Sequence, residues 1–491
     1  MTKPHTILSA LAAIPGLAYL AMSAVIIAAM ACKIGVKYSF NLNEGWNAYW
    51  AGVAWSGADL YPPLAGLKLD NYPPLWFYLT GALGHLVGDN IRAGRAIAAV
   101  ALLFNGVIIA LIAREIAGTR RAAWIAGAAF VALFGLFHQD YAAANDPQVL
   151  ASVFMTLAVL LVVRCADEPP SLAVLAGVVL AMIVAGLIKH NIVAAPLSVA
   201  LYFLLSGRPR TLLSFVGLSV VGIALACAGL YLAYGKSAFT SILFPRPYSA
   251  RIGWAQTWDE FAQYGLLLTV IPYLAFFSNA KARLVVIYAV VALVLGAALS
   301  GGYGVDFNVF FDLMFCICIG LGVMGAAVLQ AIERQAASDR LLRVATAGWI
   351  AIALVPPLIE AWSVGEDILE AFTAVTDTSY EADLRYVRSA GPRMRSAGAG
   401  TVVCRDLALC YWAGEPFTLD LNTLPILAAE TPGVEDAVVA QIEACKFSLI
   451  ELNLSEPAED PLTDRMRRAL VSHYKVEQET PYGVYWRPRC R

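Results

Sequence analysis

Glu44 stands in NLNEGWNAYW, residues 41–50, just after about 25 almost wholly apolar residues. HQDYAAANDPQ, residues 138–148, adds His138, Asp140 and Asp146. IKHN, residues 188–191, carries Lys189 and His190, and FPRPYSARIGW, residues 244–254, carries Arg246 and Arg251. GGYGVDFNVFFD, residues 301–312, supplies Asp306, Asn308 and Asp312, and Tyr72 opens YPPLWFYLTGALGHLVG. A carboxylate takes a proton from an attacking hydroxyl. Lysine, arginine and protonated histidine hold a phosphate. Aromatic side chains stack on a sugar or on a hydrocarbon chain. Together these types suit a substrate that is at once phosphate and lipid.

Each residue also has a plainer role. Asp146 precedes Pro147, the pattern of an N-cap followed by proline in the first turn. Lys189 and His190 suit snorkelling to a membrane surface, and Arg246 and Arg251 suit lipid headgroups. Asp306 fits a helix cap, and Asp312, deeper in an apolar run, needs a partner. The aromatics of residues 46–50 fit an interfacial belt.

The elements that must position these side chains are membrane spans. Of the 491 residues, 59% are hydrophobic and 14% charged, where a soluble protein has about a quarter charged. The net charge of −2 argues against a nucleic-acid partner. Apolar runs fall near 7–32, 95–117, 121–137, 147–164, 171–188, 192–206, 211–234, 262–278, 283–300, 309–331 and 344–362. Residues 72–88 are a further candidate. If they lie on the membrane without crossing it, Arg114, Arg120, Arg121, Arg164, Arg208, Arg210, Lys281, Arg283, Arg334, Arg340 and Arg343 all fall on one side with Lys3. The loops 138–146 and 301–308, without Lys or Arg, fall on the other. The expected fold is therefore a polytopic α-helical membrane protein of about 11 transmembrane helices, N-terminus cytoplasmic. The charges listed above then collect at the outer ends of the spans. Charge at membrane depth is expensive and marks function.

Residues 1–362 form the expected membrane catalytic part, with a first outer loop at 33–94. In that loop Trp46, Tyr49, Trp50 and Val53 make one apolar helical face suited to the headgroup zone. DLYPPL (59–64) and DNYPPL (70–75) repeat, each Pro-Pro pair ending one helix and starting another. Two or three short helices lying flat are expected. Residues 363–491 turn polar and read as a soluble α/β domain on the outer, periplasmic side. TVVCRDLALCYW and FSLIELNL read as strands and VEDAVVAQIEAC as a helix. Cys404, Cys410, Cys445 and Cys490 fall here, and four cysteines allow three pairings.

The order of these features resembles the GT-C superfamily of integral-membrane glycosyltransferases. Within it, the likeness is to the bacterial branch related to protein O-mannosyltransferases and to the lipid A aminoarabinose transferase. The matching residues are the acid of NEGWNAYW, YPPLWFYLTGAL with the downstream arginine of NIRAGR, HQDYAAANDP, GVDFNVFF, and YWAGEPFTLD and PYGVYWRP in the tail. The resemblance implies inverting transfer of a sugar from a polyprenyl-phosphate donor to a hydroxyl of a glycolipid, a cell-envelope glycan or a protein. It places this at the outer face of the bacterial cytoplasmic membrane. It assigns Glu44 as general base, and Asp140 or Asp146, with His138 beside them, to placing donor, acceptor or a divalent metal. No compact ligand spacing demands a metal. The phosphate role of Lys189, His190, Arg246 and Arg251 rests on chemistry alone, and Tyr72, Asp306 and Asn308 are further candidates. The rival readings are a polyprenyl-linked lipid flippase and a solute transporter. A transporter concentrates charge near the midplane, often at broken helices of repeated halves.

Overall fold

A computed structural model describes residues 3–64, 67–277, 279–395, 401–454 and 461–490. The membrane part begins with α1 (Lys3–Gly35). Two shorter helices follow, α2 (Asn43–Ser56) and α3 (Leu75–Val87), then α4 (Asn90–Ala117), α5 (Arg120–Phe137), α6 (Gln148–Arg164), α7 (Leu172–Ile188) and α8 (Ala194–Leu205). Next come α9 (Pro209–Ile242), α10 (Ala250–Tyr264), α11 (Val270–Ala275), α12 (Ala280–Leu299), α13 (Phe311–Arg334) and α14 (Asp339–Thr373). Among the described residues seven helices are long and apolar enough to cross a membrane, and four more apolar helices are shorter. One of the short ones is α3, whose 13 residues rise only about 20 Å, less than a hydrocarbon core.

One expected span is corrected. Of the run expected at 262–278, the described residues 262–277 are not a continuous helix: α10 stops at Tyr264, Gly265 takes φ +45°, a 3-10 turn covers Gly265–Thr269, and α11 has six residues around Pro272. The apolar composition is there, but glycine and proline break the path.

The DxYPPL repeat has a local cause. The Asp59 carboxylate accepts from the Tyr61 N–H and Asp70 from the Tyr72 N–H, both at 3.0 Å. Each copy is an Asx turn that bends the chain before its Pro-Pro pair.

The C-terminal part holds α15 (Thr378–Arg395), α16 (Leu407–Ala413), α17 (Leu424–Glu430), α18 (Val434–Glu443) and α19 (Asp464–His473). Its sheet is built from β1 (Thr401–Cys404), β2 (Phe447–Glu451), β3 (Tyr474–Glu479) and β4 (Val484–Pro488), in the order β1-β2-β4-β3. Only β1–β2 is parallel. The expectation of a strand through TVVCRDLALCYW is half right. Asp406 caps Ala408 and turns LALCYWA into a helix. Cys404 pairs with Cys410 and Cys445 with Cys490.

The aromatic face of α2 is also corrected. It meets the C-terminal part, not lipid headgroups. Trp46 and Trp50 are buried, the Trp46 indole donates to Asp420, and Tyr49 stacks on Phe417 at 4.9 Å.

Behind this interface lies a buried acid pair. Glu451 accepts from the Asp406 N–H at 2.8 Å. Burial, then the Asp406 charge, pushes Glu451 up to about 8, and burial pushes Asp406 up to about 6. Groups raised in the folded state contribute stability that is full below their unfolded values and is lost as pH climbs through the folded ones. The thermal midpoint of the C-terminal part is therefore expected to fall as pH rises from about 4 to about 8, the share of Asp406 being spent by about pH 6 and that of Glu451 by about pH 8. Glu451→Gln should flatten that fall. An equal fall in both proteins, measured by intrinsic fluorescence, would refute the assignment.

Candidate functional site

Glu44, in the first turn of α2, is fully buried and faces Arg95 of α4, also fully buried. The guanidinium holds it in a fork, Nε to Oε1 at 2.7 Å and Nη2 to Oε2 at 2.5 Å. Oε1 also accepts from the Asn145 N–H at 3.1 Å, and Oε2 from the Phe40 N–H at 3.3 Å. Arg95 completes its bonding on the carbonyls of Lys33, Val36 and Tyr38. Both flanking glycines are obligatory for this crossing. A Cβ on Gly45 would lie 2.1 Å from the Ala408 nitrogen of α16, and one on Gly94 would lie 1.7 Å from the Asn145 side chain. The pair thus ties α2, α4, the 138–147 loop and α16 together. Trp412 of α16 closes the same knot by donating to Asp89, the cap of α4. A carboxylate with both oxygens engaged and no exposure has the geometry of a strut.

The open space is next door. One cavity of about 320 Å³ is lined by Tyr72, Lys189, His190, Arg246 and Asn308, with Ile242, Phe244 and Leu299 on its apolar side. A second, of about 100 Å³, lies between Asn43, Trp46, Asn71, Asn422 and Thr423. Tyr72, Arg246 and Gly304 line both, so the two are neighbouring chambers. Asn43 and Trp46 of the NEGW segment reach a cavity wall, and Glu44 between them does not.

Lys189 is buried where α7 ends, because the chain turns extended there and the side chain points back into the protein. Its Nζ lies 3.4 Å from Asp146 Oδ1, 3.5 Å from the Tyr72 hydroxyl and 4.8 Å from the centre of the Tyr72 ring. Burial opposes its charge, but Asp146 and Tyr72 raise its pKa on balance, so it is an ammonium at neutral pH. Asp146 Oδ1 also accepts from the Gln148 N–H, the turn-start role its Asp-Pro sequence suggests, while buried Oδ2 has no hydrogen-bond partner among the described residues. His190 sits at the cavity mouth. Surrounding protein, then the charges of Arg246 and Lys189, push its imidazole down to about 4, so it is neutral at pH 7 and adds no positive charge.

The remaining candidates divide. Tyr141 links two of them, donating to Asp306 at 2.8 Å and accepting from Asn308 at 3.1 Å, which sets Asn308 on the cavity wall. Asp306 also caps the Phe307 N–H, and Asp312 accepts from Tyr288. His138 is buried against Phe311 and Tyr264 with Nε2 3.0 Å from the tyrosine hydroxyl, away from both cavities. Asp140 is exposed beside them, and Arg251 lies exposed on α10 outside either lining. Among the described residues the one group of three side chains spaced for a metal is Cys445, His473 and Cys490, whose cysteines are already paired. The sequence missed Arg95 as the partner of Glu44, although a charge early in an apolar helix is itself a signal. Asn422 and Thr423 carried no signal, since only the fold brings them over the cavity.

The family model for dolichyl-phosphate-mannose-protein mannosyltransferases matches residues 71–233, which include Tyr72, Arg95, Asp146, Lys189 and His190. No curated protein matches the chain by sequence. Among solved structures, ArnT from Cupriavidus metallidurans in the apo state superposes with a TM-score of 0.62 at 14% identity, covering 95% of this chain and 96% of that one. The same protein bound to undecaprenyl phosphate gives 0.59 at 14% identity, over 96% and 97%. The archaeal oligosaccharyltransferase AglB from Archaeoglobus fulgidus, in complex with an inhibitory peptide and a dolichol-phosphate, gives 0.56 at 12% identity, over 96% and 74%. At these identities the likeness is one of fold. The matched segment and the shared fold together relate this chain to the GT-C superfamily of integral-membrane glycosyltransferases, alongside protein O-mannosyltransferases and the aminoarabinose transferase.

Proposed function

We propose that this chain is an inverting glycosyltransferase that moves a sugar from a polyprenyl-phosphate donor to an acceptor hydroxyl at the outer face of the cytoplasmic membrane. In this reading residues 1–362 are the catalytic membrane part and 363–491 stand on the outer side. The observation that carries it is the larger chamber, where Ile242, Phe244 and Leu299 meet the ammonium of Lys189 and the guanidinium of Arg246. An apolar wall beside two cations suits a lipid phosphate. The relatives solved with undecaprenyl phosphate and with dolichol-phosphate support the same substrate class. The basic helix ends at Arg114, Arg120 and Arg121, far along α4 and α5 from the cavity, support the orientation.

The reaction is a single displacement. The acceptor oxygen bonds to the anomeric carbon as the bond to the phosphate oxygen breaks, and polyprenyl phosphate leaves with the electron pair. Lys189 and Arg246 hold that developing charge, His190 offers a neutral hydrogen-bonding ring, and the smaller chamber under Asn422 and Thr423 takes the sugar. Glu44 is reassigned from base to positioning residue. Asp146, whose Oδ2 has no hydrogen-bond partner among the described residues, takes the hydroxyl proton.

Native mass spectrometry of the full chain with a panel of polyprenyl phosphates and their sugar conjugates tests this. Retention of one conjugate, lost in Arg246→Ala, followed by transfer of its sugar to a membrane-extract acceptor, is the expected result. Retention without transfer would point to a flippase, and retention of a water-soluble solute instead would point to a transporter.

A further inference from the structure

A third opening lies at the other end of the bundle and plays no part in the proposed transfer. It is a trough of about 460 Å³ with α5 as its floor and α1 and α4 as its walls. Small residues make it deep: Ala123 and Gly127 on the floor, Ala110 on the wall, with Leu103, Val107 and Val131 farther along. A Cβ on Gly127 would already meet the Ala110 Cβ at 3.2 Å, so the helices approach as closely as their side chains permit.

The trough is apolar along its length and basic at one end, where Arg114 closes α4 and Arg120 opens α5. Both arginines are exposed, and neither has an ion-pair partner among the described residues. The acids beside them are engaged elsewhere. Glu115 pairs with Arg164 and Lys281, and Glu333 pairs with Arg121. The N-terminus of α5 adds its partial positive charge at the same end. A hydrocarbon-lined trough in a membrane span, ending in two unneutralised guanidiniums, complements one chemistry: an acyl chain joined to an anionic head.

We propose that this trough binds one anionic glycerophospholipid, its phosphate held by Arg114 and Arg120 and one acyl chain laid along α5. The occupant wedges α1, α4 and α5 at the end remote from the cavity.

The test uses delipidated full-length protein and two lipids with identical chains, phosphatidylglycerol and phosphatidylcholine, read by native mass spectrometry. A single phosphatidylglycerol adduct should be retained about tenfold better than phosphatidylcholine, the scale of one or two charge-assisted hydrogen bonds. Arg114→Gln with Arg120→Gln should abolish the preference, and Ala110→Phe should block the adduct. Arg340→Gln with Arg343→Gln, at the same end of the bundle, should leave it intact. The exposed arginine pair carries the test if Ala110→Phe does not fold. Equal retention of both lipids, or a preference that survives loss of Arg114 and Arg120, would overturn the proposal. A protein dimer dissolved by Ala110→Phe would overturn it too, by giving the trough to a second copy.

Discussion

Glu44→Gln is expected to lose stability before it loses chemistry. The substitution leaves the Arg95 guanidinium fully buried with its counter-charge gone. Breaking a buried pair from one side costs about 3–5 kcal/mol, because the surviving charge is uncompensated. The lower part of that range is expected, since Arg95 keeps the carbonyls of Lys33, Val36 and Tyr38. The visible result is a lower thermal midpoint and a poorer yield in detergent. Any transfer activity should fall in step with the folded fraction. Replacing Arg95 with Gln as well removes the stranded charge and should recover part of the midpoint, a coupling that a double-mutant cycle measures. If Glu44→Gln unfolds like the unaltered protein, retains donor and yet transfers nothing, the carboxylate is the base after all and the strut assignment fails.

The contrast between Glu44 and Lys189 shows what a sequence carries and what it withholds. Both stand at helix ends after long apolar runs, so hydropathy and charge bias placed them at the same membrane face. Their local surroundings look alike on paper. What separates them is contact at long range: Arg95 lies 51 residues from Glu44, and Asp146 lies 43 residues from Lys189. Helix existence was legible for α1, α4 and α13 because apolar runs of that length have one stable form. The break at Gly265 was less so, since residues 262–278 keep the composition of a span while one glycine and Pro272 deny it the path. The aromatic face of α2 was legible as a face, but whether it meets headgroups or protein depends on Asp420 and Phe417, some 370 residues away. His138 misled for a related reason. A histidine beside two aspartates reads as chemistry until Phe311 and Tyr264 bury it.

Lys189→Met should be the substitution most damaging to donor handling. The ammonium is the buried cation of the larger chamber, aimed by Asp146 on one side and by the Tyr72 ring on the other. A preorganised donor facing a leaving phosphate contributes about 3–4 kcal/mol, so the rate of transfer should fall roughly 10²–10³-fold. Donor retention should weaken as well, because the phosphate is charged before and after the sugar leaves. The change also strands Asp146 without its counter-charge, so a loss of activity alone would not separate phosphate binding from misfolding. Adding Asp146→Asn to Lys189→Met neutralises the stranded acid and should restore the thermal midpoint. Because the cation is still missing, it should not restore retention of the prenyl phosphate. Arg246→Lys supplies the complementary check: half-buried at the junction of both chambers, it keeps its charge and loses the fork, and a smaller loss of retention is expected than for Lys189→Met. Full retention of prenyl phosphate by the stable double variant would show that Lys189 serves Asp146 alone, and the phosphate would have to be sought against Arg246.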